Sequence, residues 1–369
     1  MLSPQAEILI LAAIVSVTCA LPGTFLVLRR MSLMSDAISH SILLGIVLAF
    51  FVVRDITSPF LIMGAALIGL LTVMLTELLT QTGKMKEDAS IGLVFPALFS
   101  IGVILITKFA GNVHLDSDAV LLGEIGLAPF NRLTISGMDM GPVSWWIMGS
   151  ILVLNLLFII IFYKELKLST FDSALAVSLG FSPVIIHYSL MAIVSITAVG
   201  AFDSVGSILV VALIIAPPSA AFLITKKLHS MIIVSAFIGI LSSLSGFFLA
   251  RMFDASIAGS MAMMAGIFFL AALLFAPERG LLAKMITHHR RKYDFASKML
   301  AVHLLAHEGR KEEAEENTFT NSLIHMRWPR NFAQKVISFS EKGGLLTESK
   351  GNLKLTQQGR NVAREVMAM

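Results

Sequence analysis

Charge is scarce in this chain. Asp, Glu, Lys and Arg make up 14% of its 369 residues, against 56% hydrophobic, where a soluble domain runs to roughly a quarter charged. That shortage excludes an ordinary soluble globule as the whole story. Cysteine is nearly absent: a lone Cys19 excludes an intrachain disulfide and any zinc site built on paired cysteines. A Gly-x4-Gly-Lys-Ser/Thr loop is also missing, because Gly83-Lys84 lacks both the earlier glycine and the following hydroxyl. If ATP drives anything this chain does, a separate chain must bind it.

What is present is a series of long apolar runs, most of them about 20 residues, the length that crosses a ~30 Å hydrocarbon core at 1.5 Å per residue. Nine spans are expected, near 6–28, 36–53, 58–80, 89–108, 143–163, 183–200, 205–225, 230–250 and 256–276. The first has no basic leader and ends in Arg29-Arg30, so it reads as a span and not a cleaved signal. The connections alternate in charge. One set holds Arg29, Arg30, Lys84, Lys86, Lys164, Lys167, Lys226, Lys227 and Arg279; the other holds Arg54, Lys108, Arg132 and Arg251. The positive-inside rule places the richer set in the cytosol and the N-terminus outside. Trp145 and Trp146 suit an anchor at the outer interface.

Asp36 and His40 open the second run. An ionisable residue in a span is costly, about 2.5–3.5 kcal/mol for a central Asp on insertion scales, and is a functional-site hypothesis by default. At i and i+4 the two share one helix face. A carboxylate and an imidazole so placed can hold a divalent cation or relay a proton. The bland alternative is that both snorkel to water, yet on a continuous helix His40 lies ~15 Å beyond Arg30. Ser32, Ser35, Ser39 and Ser41 add the expectation of a polar, water-lined face.

Other polar residues carry weaker signals. Asp203 sits in Gly200-Ala-Phe-Asp-Ser-Val-Gly206, a break between apolar runs that reads either as an outside turn or as part of a pathway. Glu77 and His187 fall near cytosolic span ends, where snorkelling is expected. The outer stretch from Ala110 to Pro142 holds His114, Asp116, Asp118, Glu124 and Asp139, with an apolar patch, Ala119 to Ile125, too short to span. The inner stretch from Leu168 to Pro183 reads as a short amphipathic segment, with Ser169-Thr170 as its cap and Gly180 as its stop.

These residues resemble a known family. Arg29-Arg-Met-Ser-Leu-Met-Ser-Asp36-Ala-Ile-Ser-His40-Ser-Ile-Leu-Leu-Gly45 is similar to the Gly-Asp-Ala-x-Ser-His-Ala-x-Leu-Pro-Gly signature of zinc/manganese/iron ABC transporter permeases. Lys86-Glu-Asp-Ala-Ser-Ile-Gly92, Phe171-Asp-Ser-Ala-Leu-Ala-Val-Ser-Leu-Gly180 and Val205-Gly-Ser-Ile-Leu-Val-Val-Ala-Leu-Ile-Ile-Ala-Pro217 resemble three further motifs of that family, in order, over about residues 5 to 280. The resemblance implies that Asp36 and His40 line the path of a transported Mn, Fe or Zn ion, with the wording around Asp203 nearer the manganese/iron branch. It implies that Phe171, Asp172 and their neighbours through Gly180 couple the permease to an ATPase. It also implies an ABC ATPase chain that carries the ATP and an extracellular metal-binding lipoprotein or periplasmic binding protein. A second permease would complete a homodimer or heterodimer in the lipid of a bacterial inner membrane. Leu44 replaces the signature proline, which removes an expected kink.

Residues 284 to 369 differ in kind, with 15 Lys/Arg against 9 Asp/Glu. Apolarity and charge shift together near Pro277-Glu278-Arg279, giving a transmembrane domain over 1–283 and a small cytosolic domain over 292–369. Helical patterns at Phe295–His307, Thr320–Met326 and Asn331–Glu341 precede an alternating stretch, Leu345 to Leu355, around Lys350-Gly-Asn. A last helix opens after it, and the whole resembles a winged-helix domain. Arg327, Arg330, Lys335, Lys350 and Lys354 raise DNA binding as one use and protein assembly or regulation as another. His288, His289, His303, His307 and His325 raise metal sensing. The expected architecture is therefore an all-α polytopic membrane protein of eight or nine transmembrane helices, type II ABC importer-like, with a winged-helix-like α+β tail. The alternatives are an ion-gradient-driven secondary transporter and a membrane-anchored metal-responsive regulator.

Overall fold

The structure is a computed structural model that describes residues 3–54, 58, 60–109, 125–135, 138–309, 326, 328–349 and 352–368. Among the described residues nine helices are long and apolar enough to cross a membrane. The chain divides into two compact units, Met1–Pro277 and Glu278–Met369.

The first unit opens with α1 (Pro4–Leu28), α2 (Ser32–Val53), α3 (Phe60–Gln81) and α4 (Glu87–Phe109). Ser3 caps α1 by accepting from Ala6 N–H, which satisfies one of the donors a helix start leaves open. A 3-10 turn (Ile125–Phe130) and a hairpin of β1 (Arg132–Ile135) and β2 (Met138–Pro142) lead into α5 (Val143–Ile161). Two short helices follow, α6 (Tyr163–Phe171) and α7 (Ser173–Ser178). The unit ends with α8 (Pro183–Val205), α9 (Ser207–Ile224), α10 (Leu228–Phe253) and α11 (Ile257–Phe275).

Lipid gives no hydrophobic drive between helices, so close packing of small residues and buried hydrogen bonds hold the bundle. Gly45 of α2 and Gly64 of α3 let the two backbones touch, and a Cβ on either would collide with the other helix. Asn155 of α5 is fully buried. It donates to Thr18 O of α1 at 3.0 Å and to Thr197 Oγ1 of α8 at 2.9 Å, tying three helices together. Such bonds are worth about 0.6 kcal/mol each on average in a membrane protein. On the far side of α1, Ser16 hydrogen-bonds Ser243 of α10.

Leu44 does not interrupt α2, which stays helical from Ser32 to Val53 while Leu44 packs on Val94 and Leu98 of α4. The kink that a proline would bring is absent. Trp145 and Trp146 donate their indole N–H groups to Glu7 O and Met140 O, both at 3.1 Å, which places each amphipathic ring at the end of α5 that adjoins the hairpin.

In the second unit, α12 (Leu281–His307), α13 (Arg330–Lys342), strands β3 (Leu346–Ser349) and β4 (Asn352–Leu355), and α14 (Gln357–Ala368) follow in order. The strands are antiparallel, with Leu346 opposite Leu355 and Ser349 opposite Asn352. Leu300, Leu304, Val336, Ile337, Leu353 and Ala363 form its core. Thr356 caps α14 by accepting from Gly359 N–H at 3.0 Å. The helix expected at Thr320–Met326 lies outside the described residues except Met326, as do His325, Arg327 and Lys350.

Candidate metal pathway and coupling segment

Asp36 and His40 lie in the first turns of α2, with His40 Nε2 3.4 Å from Asp36 Oδ1. Both are partly accessible, at 34% for His40 and 40% for Asp36. Aromatic rings on α4 hold the imidazole in place. Phe95 stacks on it at 5.6 Å between centroids, and Phe99 meets it edge-on at 6.4 Å. Among the described residues no third His, Cys, Asp or Glu joins the pair.

The serines nearby do not form the water-lined face expected from the sequence. Ser35, Ser39 and Ser41 are buried. Their hydroxyls donate to Ser32 O, Ser35 O and Ile38 O at 3.0, 2.8 and 3.0 Å. Small side chains in a span serve helix packing and bond their own backbone one turn back. Ser41 also accepts from Thr72 Oγ1 of α3 at 2.7 Å, which fixes the register of the antiparallel α2/α3 pair.

Asp203 is exposed in the last turn of α8; the break itself falls at Gly206, whose φ of 83° is a left-handed value that favours glycine. His187 sits in the first turns of the same helix, so sixteen residues, ~24 Å, separate it from Asp203. His114, Asp116, Asp118 and Glu124 of the outer stretch lie outside the described residues. Asp139 is not solvated freely but binds Arg132, whose guanidinium also reaches the buried Glu7 carboxylate at 3.0 Å.

The inner stretch from Leu168 to Pro183 is built differently from expectation. Asp172, not Ser169 or Thr170, caps α7: its Oδ1 accepts from Leu175 N–H at 2.9 Å. Gly180 ends the segment at φ 85°, with its own N–H and that of Phe181 returning to Val177 O and Ala176 O. Phe171, Leu175, Val177 and Leu179 stand exposed around this cap, with Phe171 at 61%.

Glu77 and His187, expected to snorkel separately, are paired with each other through His187 Nε2 and Glu77 Oε1. Tyr188 OH donates to Glu77 Oε2 at 2.7 Å. Arg29 donates to His187 Nδ1 at 3.1 Å, to Ser169 Oγ at 2.8 Å and to Thr170 Oγ1 at 3.2 Å. Arg29, Glu77, Ser169, His187 and Tyr188 edge a cavity of ≈ 470 Å³ that Met34 of α2 also lines. Sequence reasoning missed the cluster because its members lie far apart along the chain.

Residues 5–276 match the model of the ABC 3 transport family. The chain belongs to this family. Its membrane-spanning unit is thus a multi-pass permease of the ABC type. Among the relatives of this ABC 3 permease is the zinc transport system membrane protein TroD of Treponema pallidum, 48% identical over 358 residues and covering 97% of each chain. Another is the manganese transport system membrane protein MntD of Bacillus subtilis, 46% identical over 285 residues, 77% of this chain and 96% of that one. Among solved structures, PsaBC from Streptococcus pneumoniae in complex with Fab matches with a TM-score of 0.63 at 31% identity, over 76% of this chain and 94% of that one.

Proposed function

We propose that the chain is the membrane subunit of an ATP-driven importer for a divalent transition metal, manganese or zinc before iron. The Asp36/His40 pair, one turn apart and partly accessible, carries this reading. One carboxylate and one imidazole suit Mn²⁺, Fe²⁺ or Zn²⁺, and affinity order alone favours zinc over manganese. Choice between them falls to the protein that delivers the ion and to pathway geometry. A sparse ligand set matches a path that must release what it binds. The relatives' names, zinc and manganese transport systems, support the same cargo.

ATP is hydrolysed on a separate ATPase chain, which docks on α7. The exposed Phe171, Leu175, Val177 and Leu179, set by the Asp172 cap and the Gly180 stop, offer it an apolar ridge. An extracellular metal-binding protein delivers the ion, and a second permease completes the pathway. Asp203, at the opposite end of α8 from His187, is a candidate for the entry side. The charge asymmetry of the connections supports a cytosolic side for α7 and for the Glu278–Met369 unit. That unit, a winged-helix-like module, serves assembly or regulation.

The test is Asp36→Ala and His40→Ala. Each variant inserts in the membrane and loses metal-dependent growth and uptake; full uptake by both would overturn the site.

A further inference from the structure

The cluster around His187 has a direction that the hydrogen bonds fix. A guanidinium only donates, so Arg29 facing His187 Nδ1 at 3.1 Å makes that nitrogen an acceptor. Nε2 of the same ring lies in ion-pair contact with Glu77 Oε1. Tyr188 OH fills the other carboxylate oxygen at 2.7 Å. The result is a chain of contacts, Arg29 to His187 to Glu77.

Its ends lie on elements that matter to transport. Arg29 grips Ser169 and Thr170 in the last turn of α6, next to the proposed ATPase-docking segment. Glu77 lies on α3. From the Thr72–Ser41 contact, five residues further along each helix of the antiparallel pair stand Glu77 and Asp36. The far end of the chain of contacts is thus level with the metal pair. Close backbone contact at Gly45/Gly64 packs α2 tightly against α3.

We propose that Arg29, His187 and Glu77 form the linkage that carries motion of α6 and α7 to the helix pair bearing Asp36 and His40, with His187 as the positioning residue that joins its halves. This rests on the importer reading, since it needs an ATPase to push. An imidazole that meets Arg29 through one nitrogen and Glu77 through the other has a near equivalent: a glutamine amide offers one acceptor and one donor. A static staple would tolerate any side chain that fills the space, whereas the linkage needs the polarity.

The experiment is reconstitution of the permease with its ATPase and binding protein in vesicles, reading Mn²⁺ and Zn²⁺ taken up per ATP hydrolysed. His187→Leu is expected to assemble and hydrolyse ATP while uptake per ATP falls about tenfold or more, from loss of hydrogen bonds to two charged groups. His187→Gln is expected to stay within about threefold of the wild type, because the amide keeps one donor and one acceptor. Should His187→Leu fail to insert, the double variant Ser169→Ala, Thr170→Val cuts only the α6 end and is expected to lower uptake per ATP in the same way. Wild-type coupling in His187→Leu, in its place in the double variant, or a His187→Gln as impaired as His187→Leu, overturns the linkage alone. Absence of ATP-dependent uptake by the wild type overturns the importer reading, and the linkage with it.

Discussion

Thr72 of α3 donates its hydroxyl to Ser41 of α2 at 2.7 Å, a buried contact that marks, with Gly45 against Gly64, which residues of the two helices stand side by side. Through it the Asp36/His40 pair on α2 and the Glu77 carboxylate on α3 share one level of the bundle. That the Asp36/His40 pair and Glu77 share a level follows from helix packing, not from their spacing along the chain.

Thr72→Val keeps the shape of the side chain and removes the contact. The expected loss is about 0.6 kcal/mol, with about 1.7 as the upper bound for such bonds. Thermal unfolding in detergent should shift by a few degrees or less. Gly64→Leu should be far worse, because its side chain must enter the Gly45 backbone; the measurement is the yield of folded protein after membrane extraction.

The proposed docking ridge gives a separate prediction. Phe171→Asp places a charge on the exposed apolar face at the C-terminal end of α6. Membrane insertion should be normal, while co-purification of the ATPase and metal uptake are both lost. Asp172→Ala should give a milder version, since losing a helix cap costs about 1 kcal/mol.

Outside the spans, the hairpin predicts a response to acid. Hydrogen bonds from Arg132 and from Gly141 N–H hold the Asp139 carboxyl below its ordinary range. A carboxylate with a lowered folded value stabilises the fold at pH above its unfolded pKa of ~3.9, and that contribution disappears as pH falls through the lowered value. Between pH 5 and 8 the hairpin should therefore be indifferent to this group, to judge by ~3.9. Arg132→Met removes the guanidinium from Asp139, leaving it the Gly141 N–H, and strips the buried Glu7 of its counter-charge. Hydrogen exchange of β1 and β2 should rise in that variant at every pH, and more than in Asp139→Asn.

Glu308 behaves alike in the C-terminal unit. The Arg360 guanidinium, 2.8 Å from Oε1, lowers its carboxyl by hydrogen bonding. Protection of α14 against exchange should be constant above the unfolded Glu pKa of ~4.3 and fall as the medium is acidified through the lowered value. Arg360→Ala should abolish that acid step. The same full-length protein should show no shift of duplex DNA at low salt if the unit serves assembly.

The spans were legible from composition and length alone. Moving an apolar helix from water to hydrocarbon is decided residue by residue, so no partner needs to be known. The same holds for Asp36 and His40, because an i, i+4 pair meets on any helix whatever it packs against. Motif order was enough to point to the family. Tertiary structure decided the rest. Whether a serine faces water or a neighbouring helix depends on that neighbour, and Ser35, Ser39 and Ser41 proved to be buried. Asp172 took the capping role because the chain turns at that residue, leaving Ser169 free to meet Arg29 from 140 residues away. Glu77, Tyr188 and His187 come together across more than 100 positions. Periodicity assigns a residue to a helix face; only helix packing settles which face meets which.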